Sequence, residues 1–491
     1  MLNNINKKTD NVNDDNQEIN NVLLPQDEYL LSLSKSHDKF TDQFGVPYVR
    51  FEKDGHFEIQ PLESKAYEHH LIQELYKIHG NRLNQKAVDR VISIIGSEII
   101  SNRVSYKLHI RIAWYNDAIW YDLADPLWRA IRIDESGRCL VQKPPILFKR
   151  MQHMQEQVVP VSGGKISTLF DFINVPKEFR LLLLADLMSS FIPDIDYPIT
   201  VFWGKPGTGK TSACRVLKSL VDPSIADVLS LPGTEKEMVQ VMSKNHMTVF
   251  DNISRISAKE SDILCRASTG GAFMNRTLFQ NDDDLIRELH QPVVLNGLYQ
   301  LGVANDLISR CIFFELEKIN SPNMITTTEF FEKFNQEKPL ILGKIFDCIS
   351  KSMKNKKDIK ITHHKRMGDF TDWSVAIAKN FKEGDIRILR QLGKMDEIRN
   401  REALLGQPLA NAVEIFLKQR KYFKGSATDL YLNLCDIAKA NKINTKHPAW
   451  PNDVNVMTRF LNNLQANLEQ AGILYEHSRK KSGAIIELKM K

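Results

Sequence analysis

In the middle of the chain, short apolar runs alternate with segments whose apolar residues recur at the spacing of an α-helix. "YPITVFW", "HMTVFD", "PVVLNGL" and "CIFFEL" are such runs. Because strands buried on both faces read as nearly continuous apolar runs, this alternation is typical of a parallel sheet covered by helices. We therefore predict an α/β core over residues 166–320.

Different patterns flank this core. Residues 31–165 begin with two amphipathic helices and continue with two pairs of alternating strands, whose turns lie at residues 116–117 and 135–137. This mixture predicts an α+β N-terminal domain. Residues 321–400 have the pattern of Lys-rich helices and predict a helical lid or connector. Residues 1–30 are polar and rich in Asn and Asp, a composition that predicts a disordered tail.

The last segment, residues 401–491, has three amphipathic stretches followed by two strand-like ones around a basic turn at Arg479, Lys480 and Lys481. Three helices that close in a basic hairpin predict a winged helix-turn-helix, whose third helix would enter the major groove of DNA. Its wing, with Arg479, Lys480 and Lys481, would touch phosphates. A winged helix can instead bind protein or cap the lid. On the third helix the side chains suited to base edges are Asn455, Thr458, Arg459, Asn462 and Asn463.

Composition narrows the class of protein. The longest apolar run, "LLLLADLM", is interrupted by Asp186, so we predict no membrane span. The start lacks the apolar core of a signal peptide. Six cysteines are scattered without a C-x-x-C pair, which favours a reducing cytoplasm over a disulfide scaffold or a zinc module.

The net charge of +6 has an uneven distribution along the chain. Residues 401–491 hold 14 Lys and Arg against 8 Asp and Glu, and the other 400 residues hold 52 of each sign. Such asymmetry indicates either a polyanionic partner for the last segment or a solvated basic face.

The stretch "GKPGTGKT" carries the most specific chemical signal. Gly204, Gly209, Lys210 and Thr211 satisfy G-x-x-x-x-G-K-[ST] between a predicted strand and a predicted helix. In such a P-loop, glycines let backbone N–H groups surround phosphate oxygens, the lysine reaches the outer phosphates, and the hydroxyl binds magnesium. We predict that ATP and Mg²⁺ bind here. The predicted contacts are Gly204, Lys205, Pro206, Gly207, Thr208, Gly209, Lys210, Thr211 and Ser212.

A second motif, "TVFDN", places Asp251 at the end of the next apolar run. A carboxylate at the end of a strand beside the P-loop strand is suited to magnesium, so Thr211 and Asp251 form the predicted metal site. Asn252 follows, where many motor ATPases carry a glutamate. An amide can orient water but cannot accept its proton, which leaves the general base unassigned.

Two further polar residues complete the predicted catalytic set. Asn296 ends the run in "PVVLNG" and is placed to contact a γ-phosphate or the attacking water, and Arg310 precedes "CIFFEL". An arginine supplied by a neighbouring subunit can stabilise the charge that develops during phosphoryl transfer. AAA+ ring ATPases carry the same motifs in the same order: a strand and P-loop, a strand with Asp, a strand with Asn, and then Asp-Leu-x-x-Arg.

Between Asp251 and Asn296, residues 272–279 and 285–289 can pair as a hairpin around residues 280–284. Ring helicases carry a hairpin at this place that projects into the pore, so DNA or RNA is the expected substrate. Its tip is acidic and would repel phosphate. The candidate backbone contacts are Lys236, Arg276 and Arg287.

The ordered set "GKPGTGKTS", "TVFDNIS", "RASTGGAFMNRTLFQNDDD", "QPVVLNG", "DLISRCIFFEL" and "KRMGDF" resembles the Rep replication initiator-helicases of staphylococcal pathogenicity islands. These are AAA+ proteins similar to superfamily 3 and minichromosome-maintenance helicases. The resemblance covers roughly residues 40–490. It implies a hexameric ring, 3′-to-5′ unwinding, self-loading at a replication origin, Arg310 acting in trans, and Arg366 as a further nucleotide sensor.

Together these observations predict an ATP-driven replicative helicase of a mobile genetic element that binds single- and double-stranded DNA. Two alternatives stay open. An ATP-dependent initiator or regulator could assemble on DNA without unwinding it, which Asn252 and the acidic hairpin tip favour. A small-molecule P-loop kinase would instead turn over ATP without regard to DNA.

Overall fold

The computed structural model divides into two compact units between Lys107 and Leu108. The N-terminal segment drawn from the sequence, residues 31–165, therefore contributes to both units. The residues that the structure describes are 24–80, 83–276, 284–297, 305–318, 325–359, 366–405, 407–447, 449–480 and 483–490.

The first unit packs three helices against a three-stranded antiparallel sheet of order β1-β2-β3. Its core is formed by apolar side chains such as Phe51, Leu71 and Ile95. Ser64 caps the second helix by accepting the N–H of Tyr67. The elements are α1 (Gln26–Ser34), β1 (Asp38–Thr41), β2 (Pro47–Lys53), β3 (His56–Pro61), α2 (Lys65–His79) and α3 (Gln85–Asn102).

The second unit begins with a four-stranded antiparallel sheet, β4 (Ile112–Tyr115), β5 (Ala118–Asp122), β6 (Ala130–Asp134) and β7 (Gly137–Val141). Asn116 and Asp117 connect the first two strands with φ of 47° and 55°, as the two-residue hairpin turns that match strand twist require. One face of this sheet, including Ile119 and Tyr121, joins the same apolar core as the helices and strands that follow. Residues 108–165 thus pack with the P-loop region.

A parallel sheet of order β13-β8-β12-β9 follows, with helices between its strands. The α/β class with a parallel sheet is therefore confirmed. All four strands come from the apolar runs identified in the sequence. The elements are α4 (Arg180–Ser189), β8 (Ile199–Trp203), α5 (Lys210–Val221), α6 (Glu235–Met242), β9 (Thr248–Ile253), α7 (Ala258–Thr269), β10 (Gly271–Arg276), β11 (Asp284–Leu289), β12 (Val293–Gly297), α8 (Asn305–Ile308) and β13 (Cys311–Glu315).

The hairpin between β9 and β12 is present, since β10 and β11 pair antiparallel from Gly271 opposite Leu289 to Arg276 opposite Asp284. Its tip, residues 277–283 with Asp282 and Asp283, lies outside the described residues. Three helices follow: α9 (Thr327–Lys356), α10 (Gly368–Ala378) and α11 (Gly384–Leu405). Helix α9 packs on β6 and β7, α10 packs on α9 and α4, and α11 packs on α4 and β13.

The C-terminal segment has a separate apolar core. It consists of α12 (Pro408–Arg420), β14 (Tyr422–Ser426), α13 (Ala427–Ala440), α14 (Val454–Gln470), β15 (Ile473–Lys480) and β16 (Gly483–Met490), with strand order β14-β16-β15. Strand β14 is not among the strands predicted from the sequence. The basic turn lies later than predicted, because Arg479 and Lys480 belong to β15 and pair with β16.

Within the described part of the chain, no helix combines the length and the apolar character that a bilayer span needs.

Candidate functional site

The P-loop connects β8 to α5 at the carboxyl end of the parallel sheet. Gly204, Gly207 and Gly209 have φ of 140°, 80° and 80°, values that residues with a side chain rarely adopt. Gly209 directly precedes α5, and the first N–H groups of a helix have no partner within it. The glycines therefore let the backbone curl around the start of α5 and leave a concave surface suited to anionic oxygens.

Lys210, the first residue of α5, lies over this loop. Its ammonium donates to the backbone carbonyl oxygen of Gly204 at 3.0 Å and to that of Lys205 at 3.1 Å. Thr208 Oγ1 also donates to the Lys205 carbonyl, at 3.0 Å. The positive charge is thus held at the centre of the loop, and the other predicted contacts, Pro206 and Ser212, lie in the same loop and in the first turn of α5.

Three polar side chains from three elements meet beside the loop. Thr211 Oγ1 of α5 donates to Asp251 Oδ1 of β9 at 3.2 Å. Asn296 Nδ2 of β12 donates to the same carboxylate oxygen and to Thr211 Oγ1, the latter at 3.2 Å. The three predicted residues, which are 40 to 85 positions apart in the chain, therefore form one cluster.

This cluster has the donor set that magnesium prefers, since a hydroxyl and a carboxylate present oxygen ligands side by side. Asn296 is 3% exposed, and its Oδ1 has no hydrogen-bond partner among the described residues. A buried amide oxygen without a partner is costly, and a bound water or ligand would satisfy it. The residues present thus fit both a metal ion and a phosphate-bearing ligand.

A glycine that the sequence analysis missed sets the spacing within this cluster. A Cβ on Gly297 would lie 2.2 Å from the carbonyl oxygen of Ile253, so only glycine lets β12 approach β9 this closely. On the other strand Asn252 adopts φ of 54°, and its N–H donates to Asp251 Oδ1 at 2.8 Å. The adjacent Asn-Gly at the end of "VVLNG" was the available sequence signal for this close approach.

The far end of α5 is anchored by buried charges. Asp222 accepts from Lys218 Nζ at 2.8 Å and from Arg111 Nε at 3.0 Å, and all three side chains are at most 2% exposed. Burial alone would raise the pKa of Asp222, but the charges of Lys218 and Arg111 outweigh it and hold that pKa well below its usual range. The helix that carries Lys210 and Thr211 is thereby fixed to the antiparallel sheet through Arg111.

A second buried carboxylate lies beneath the P-loop strand. Thr200 Oγ1 in β8 donates to Asp186 Oδ2 in α4 at 2.5 Å. Burial raises the pKa of Asp186 to about 7. The hydrogen bond from Thr200 lowers this pKa but offsets only part of the effect of burial. This is the residue that interrupts the longest apolar run of the sequence.

The arginines form a different cluster, at the amino end of β13. Asp306 pairs with Arg310 Nη2 at 3.3 Å and with Arg366 Nη2 at 2.5 Å. Arg366 Nη1 also donates to Ser309 Oγ at 2.5 Å. Burial raises the pKa of Asp306, but the Arg366 hydrogen bond and other polar contacts outweigh it and lower that pKa overall.

This arginine cluster lies far from the P-loop of its own chain. Cys311, which follows Arg310, pairs with Ile199 at the start of β8, whereas the P-loop follows Trp203 at its end. Five residues of strand span about 13 Å. The structure therefore groups Arg366 with Arg310 and not with Lys210.

The predicted nucleic-acid contacts of the core are placed as follows. Lys236 is exposed on α6 between Glu235 and Glu237. Arg287 in β11 donates to Ser243 Oγ at 3.0 Å and so ties the hairpin to the end of α6. The side chain of Arg276 lies outside the described residues.

In the C-terminal segment, α14 exposes Asn455, Arg459, Asn462 and Asn463 and buries its apolar face. Two of the predicted base contacts are already engaged. Thr458 Oγ1 donates to the Val454 carbonyl at 2.9 Å, and Asn462 Oδ1 accepts from the Tyr475 hydroxyl at 2.7 Å. The side chains of Arg479 and Lys480, and the whole of Lys481, lie outside the described residues.

Fold and site define a mixed α/β protein with a P-loop at the carboxyl end of a parallel sheet. Residues 165–385 match the family model described as "Actinomycete integrative conjugative element replication protein". Residues 409–491 match the model of the "AICE RepA C-terminal domain". Over these residues the chain is thus similar to the replication protein of a mobile genetic element, and the expected likeness to such proteins is confirmed at that level.

Among solved structures, the chain is similar to "The A form apo structure of NrS-1 C terminal region-CTR" at 12% identity, with 95% of this chain and 98% of that chain covered and a TM-score of 0.40. A second structure, "The apo structure of NrS-1 C terminal region", has 12% identity, covers 95% and 99% of the two chains, and gives a TM-score of 0.42. No curated protein matches the sequence.

Proposed function

We propose that the chain is an ATP-driven DNA helicase that assembles into a hexameric ring and initiates replication of a mobile genetic element in the bacterial cytoplasm. The observation that carries this proposal is the contact of Thr211, Asp251 and Asn296 beside Lys210, with Arg310 at the opposite end of the same sheet. The match to mobile-element replication proteins supports the biological setting.

Each nucleotide-site residue has a role that its position supports. The P-loop amides and Lys210 would bind the phosphates of ATP, replacing the Gly204 and Lys205 carbonyls as partners of the ammonium. Thr211 and Asp251 would hold Mg²⁺, which neutralises charge on the phosphates when it is bound. Asn296 would orient the attacking water by accepting from it at the unpartnered Oδ1, or would contact the γ-phosphate by donating from Nδ2. Asn252 has no proton-accepting group, so the general base stays unassigned.

An AAA+ architecture explains why Arg310 is remote from its own P-loop. The sheet order β13-β8-β12-β9, extended by a parallel bridge of Leu229 to Phe250 beyond β9, supports this class. In a ring, the amino end of β13 on one subunit would face the P-loop of the next. Arg310 would then stabilise charge on the neighbour's nucleotide in trans, and Arg366 would lie beside it.

The proposed DNA contacts lie in two parts of the chain, the β10–β11 hairpin and the C-terminal segment. The β10–β11 hairpin would project into the pore and move along single-stranded DNA. Among its described side chains, the cross-strand partners Met274 and Ile286 are exposed, and both are apolar. Translocation from 3′ to 5′ is implied by the resemblance alone.

The C-terminal segment would read the replication origin in double-stranded DNA. Its order of helix, strand, two helices and two strands, with strand order β14-β16-β15, supports a winged helix-turn-helix. In that fold α14 is the recognition helix, and it presents Asn455 and Arg459 to solvent.

The runner-up function is an ATP-dependent initiator that assembles on DNA without unwinding it, and Asn252 in place of a catalytic carboxylate favours it. A strand-displacement assay on a forked duplex separates the two, with Lys210→Ala as the matched inactive control. Displacement by the wild type and none by Lys210→Ala supports the helicase. ATP turnover stimulated by DNA but without displacement supports the runner-up, and turnover indifferent to DNA supports a P-loop kinase.

A further inference from the structure

Among the described residues, no strand pairs with the outer edge of β13, and side chains of α11 contact it instead. Its outer backbone groups would otherwise lack partners, as on any edge strand. Arg399 Nε donates to the Cys311 carbonyl oxygen at 2.6 Å, and the Phe313 N–H donates to Met395 Sδ at 3.2 Å. Helix α11 is therefore fastened to the strand at the residue that directly follows Arg310.

Arg399 makes this contact with a largely buried guanidinium, although arginine side chains are mostly exposed. Its side chain is 17% exposed and also pairs with Asp396 at 2.9 Å. Burial lowers the pKa of Arg399, and the charge of Asp396 opposes that effect. A charged donor makes a stronger hydrogen bond to a carbonyl than a neutral one, so the position of Cys311 follows the position of α11 closely.

The next residue of the same helix contacts the C-terminal segment. Asn467 Nδ2 of α14 donates to Asn400 Oδ1 at 3.3 Å. On the predicted recognition helix, Asn467 lies about two turns beyond Arg459 and little more than one turn beyond Asn462. A helix is stiff over this length. A displacement of α14 would therefore reach Asn400 directly.

The space around this connection is polar and open. A cavity of about 480 Å³ lies between α8, α11 and α14, and the side chains that border it include Ser309, Arg366, Arg399, Asn400 and Asn467. The arginine cluster and the end of α14 thus border one cavity, with α11 beside both. On this side the helices border open space, whereas the opposite side of α11 packs into the apolar core through Ile388 and Met395.

We infer that α11 couples duplex DNA on α14 to Arg310, and that Arg399 is the positioning residue through which the coupling acts. This inference rests on the proposed function, because it needs Arg310 to serve a neighbour's nucleotide. Duplex DNA bound to α14 shifts α11, Arg399 moves the start of β13 with it, and Arg310 changes its reach toward the next subunit. Duplex DNA on α14 would thereby change the affinity for the nucleotide between subunits by some factor. By linkage, that nucleotide changes the affinity of α14 for duplex DNA by the same factor.

The first test removes the link at the α14 side. Asn467→Ala and the matched control Asn433→Ala are made in the full chain. Asn433 on α13 is half-buried like Asn467, and its Nδ2 donates to the Asp429 carbonyl of its own helix. Affinity for a blunt mixed-sequence duplex is measured with and without a non-hydrolysable ATP analogue. We expect the analogue to change the affinity of the wild type and of Asn433→Ala about fivefold or more, and that of Asn467→Ala hardly at all.

The second test removes the link at the β13 side. Arg399→Met keeps the bulk of the side chain and loses the hydrogen bond to Cys311, whereas Arg399→Lys keeps a charged donor. We expect Arg399→Met to lower kcat for ATP with little change in KM, and Arg399→Lys to recover part of it. Since the defect acts through Arg310 on the neighbour, mixing Arg399→Met with Lys210→Ala subunits should restore turnover.

The outcomes separate this inference from the proposed function. If ATP turnover responds to single-stranded DNA but Asn467→Ala keeps the full effect of the analogue on duplex affinity, the coupling through α11 is refuted and the helicase proposal stands. A wild type whose duplex affinity ignores the analogue refutes it as well. If wild-type turnover ignores every DNA, the proposed function itself fails. Should Arg399→Met not fold, the Asn467→Ala result decides alone.

Discussion

Arg366 and Asp306 form an ion pair with a separation of 2.5 Å at the amino end of β13. The same carboxylate pairs with Arg310 at 3.3 Å. Both arginines therefore stand at the end of the parallel sheet opposite Lys210, and in the proposed ring they would serve the nucleotide of a neighbouring subunit.

The first prediction concerns these arginines. Arg310→Ala and Arg366→Ala should each lower ATP turnover, the former by about a thousandfold, as for arginines that complete a phosphoryl-transfer site in trans. Mixing either variant with Lys210→Ala subunits should restore turnover, because mixed rings contain sites with one intact Lys210 and one intact arginine. Arg387→Ala, an exposed arginine of α11, is the control. Rescue of Arg310→Ala without rescue of Arg366→Ala would place Arg366 outside the trans site.

The second prediction concerns the pH dependence of stability. The pKa of Asp186 is raised to about 7 in the folded protein, against 3.8 for an ordinary aspartate. Between these values the unfolded chain releases the proton while the folded chain keeps it, so the free energy of unfolding falls as pH rises from about 4 to about 7.

Asp186→Asn stays neutral and should remove this fall, leaving the variant more stable than the wild type at pH 8 by about 2–4 kcal/mol. Urea denaturation at a series of pH values measures it, with Asp262→Asn, an exposed aspartate of α7, as the control. Parallel curves for wild type and Asp186→Asn would contradict the prediction.

The third prediction concerns the anchor of α5. Asp222→Ala leaves Lys218 and Arg111 buried without their carboxylate, and removal of one partner from a buried ion pair costs about 3–5 kcal/mol. Glu414→Gln, which breaks the exposed pair with Lys418, should cost less than about 1 kcal/mol. Denaturant titration of both variants gives the comparison. Equal costs would show that the buried network contributes no more than a surface pair.

The fourth prediction concerns the DNA reader. Arg459→Ala should weaken binding to the origin duplex by about 1–3 kcal/mol and should affect an unrelated duplex less, as expected for loss of a contact to a base edge. Fluorescence anisotropy with both duplexes measures the two affinities. Lys333→Ala on α9, which loses only an exposed pair with Glu329, is the control, and an equal loss on both duplexes would remove Arg459 from the proposed base contacts.

Much of the core could be predicted from the sequence, because its signals are local. Apolar runs gave β8, β9, β12 and β13, and polar residues at the ends of parallel strands must meet at one edge of the sheet. The contact of Asp251 with Asn296 follows from that rule. The hairpin of β10 and β11 follows similarly from two neighbouring strand-like stretches.

The elements that the sequence analysis missed depend on distant partners. Strand β14 has mixed polarity and pairs with β16, which is more than 50 residues later in the chain. Arg399 contacts Cys311 across 88 residues. Arg366 and its partner Asp306 are likewise 60 residues apart in the chain. No periodicity within "KRMGDF" indicates at which end of the sheet Arg366 lies.

The covering of β13 by α11 has a consequence for how copies of the chain can associate. A bare strand edge invites the next molecule to continue the sheet, and backbone ladders of that kind are slow to separate once formed. With Arg399 bound to the Cys311 carbonyl and Met395 to the Phe313 N–H, these backbone groups are not free for such a ladder. In the proposed ring, copies that met on this side would do so through side chains, whose contacts can loosen and re-form.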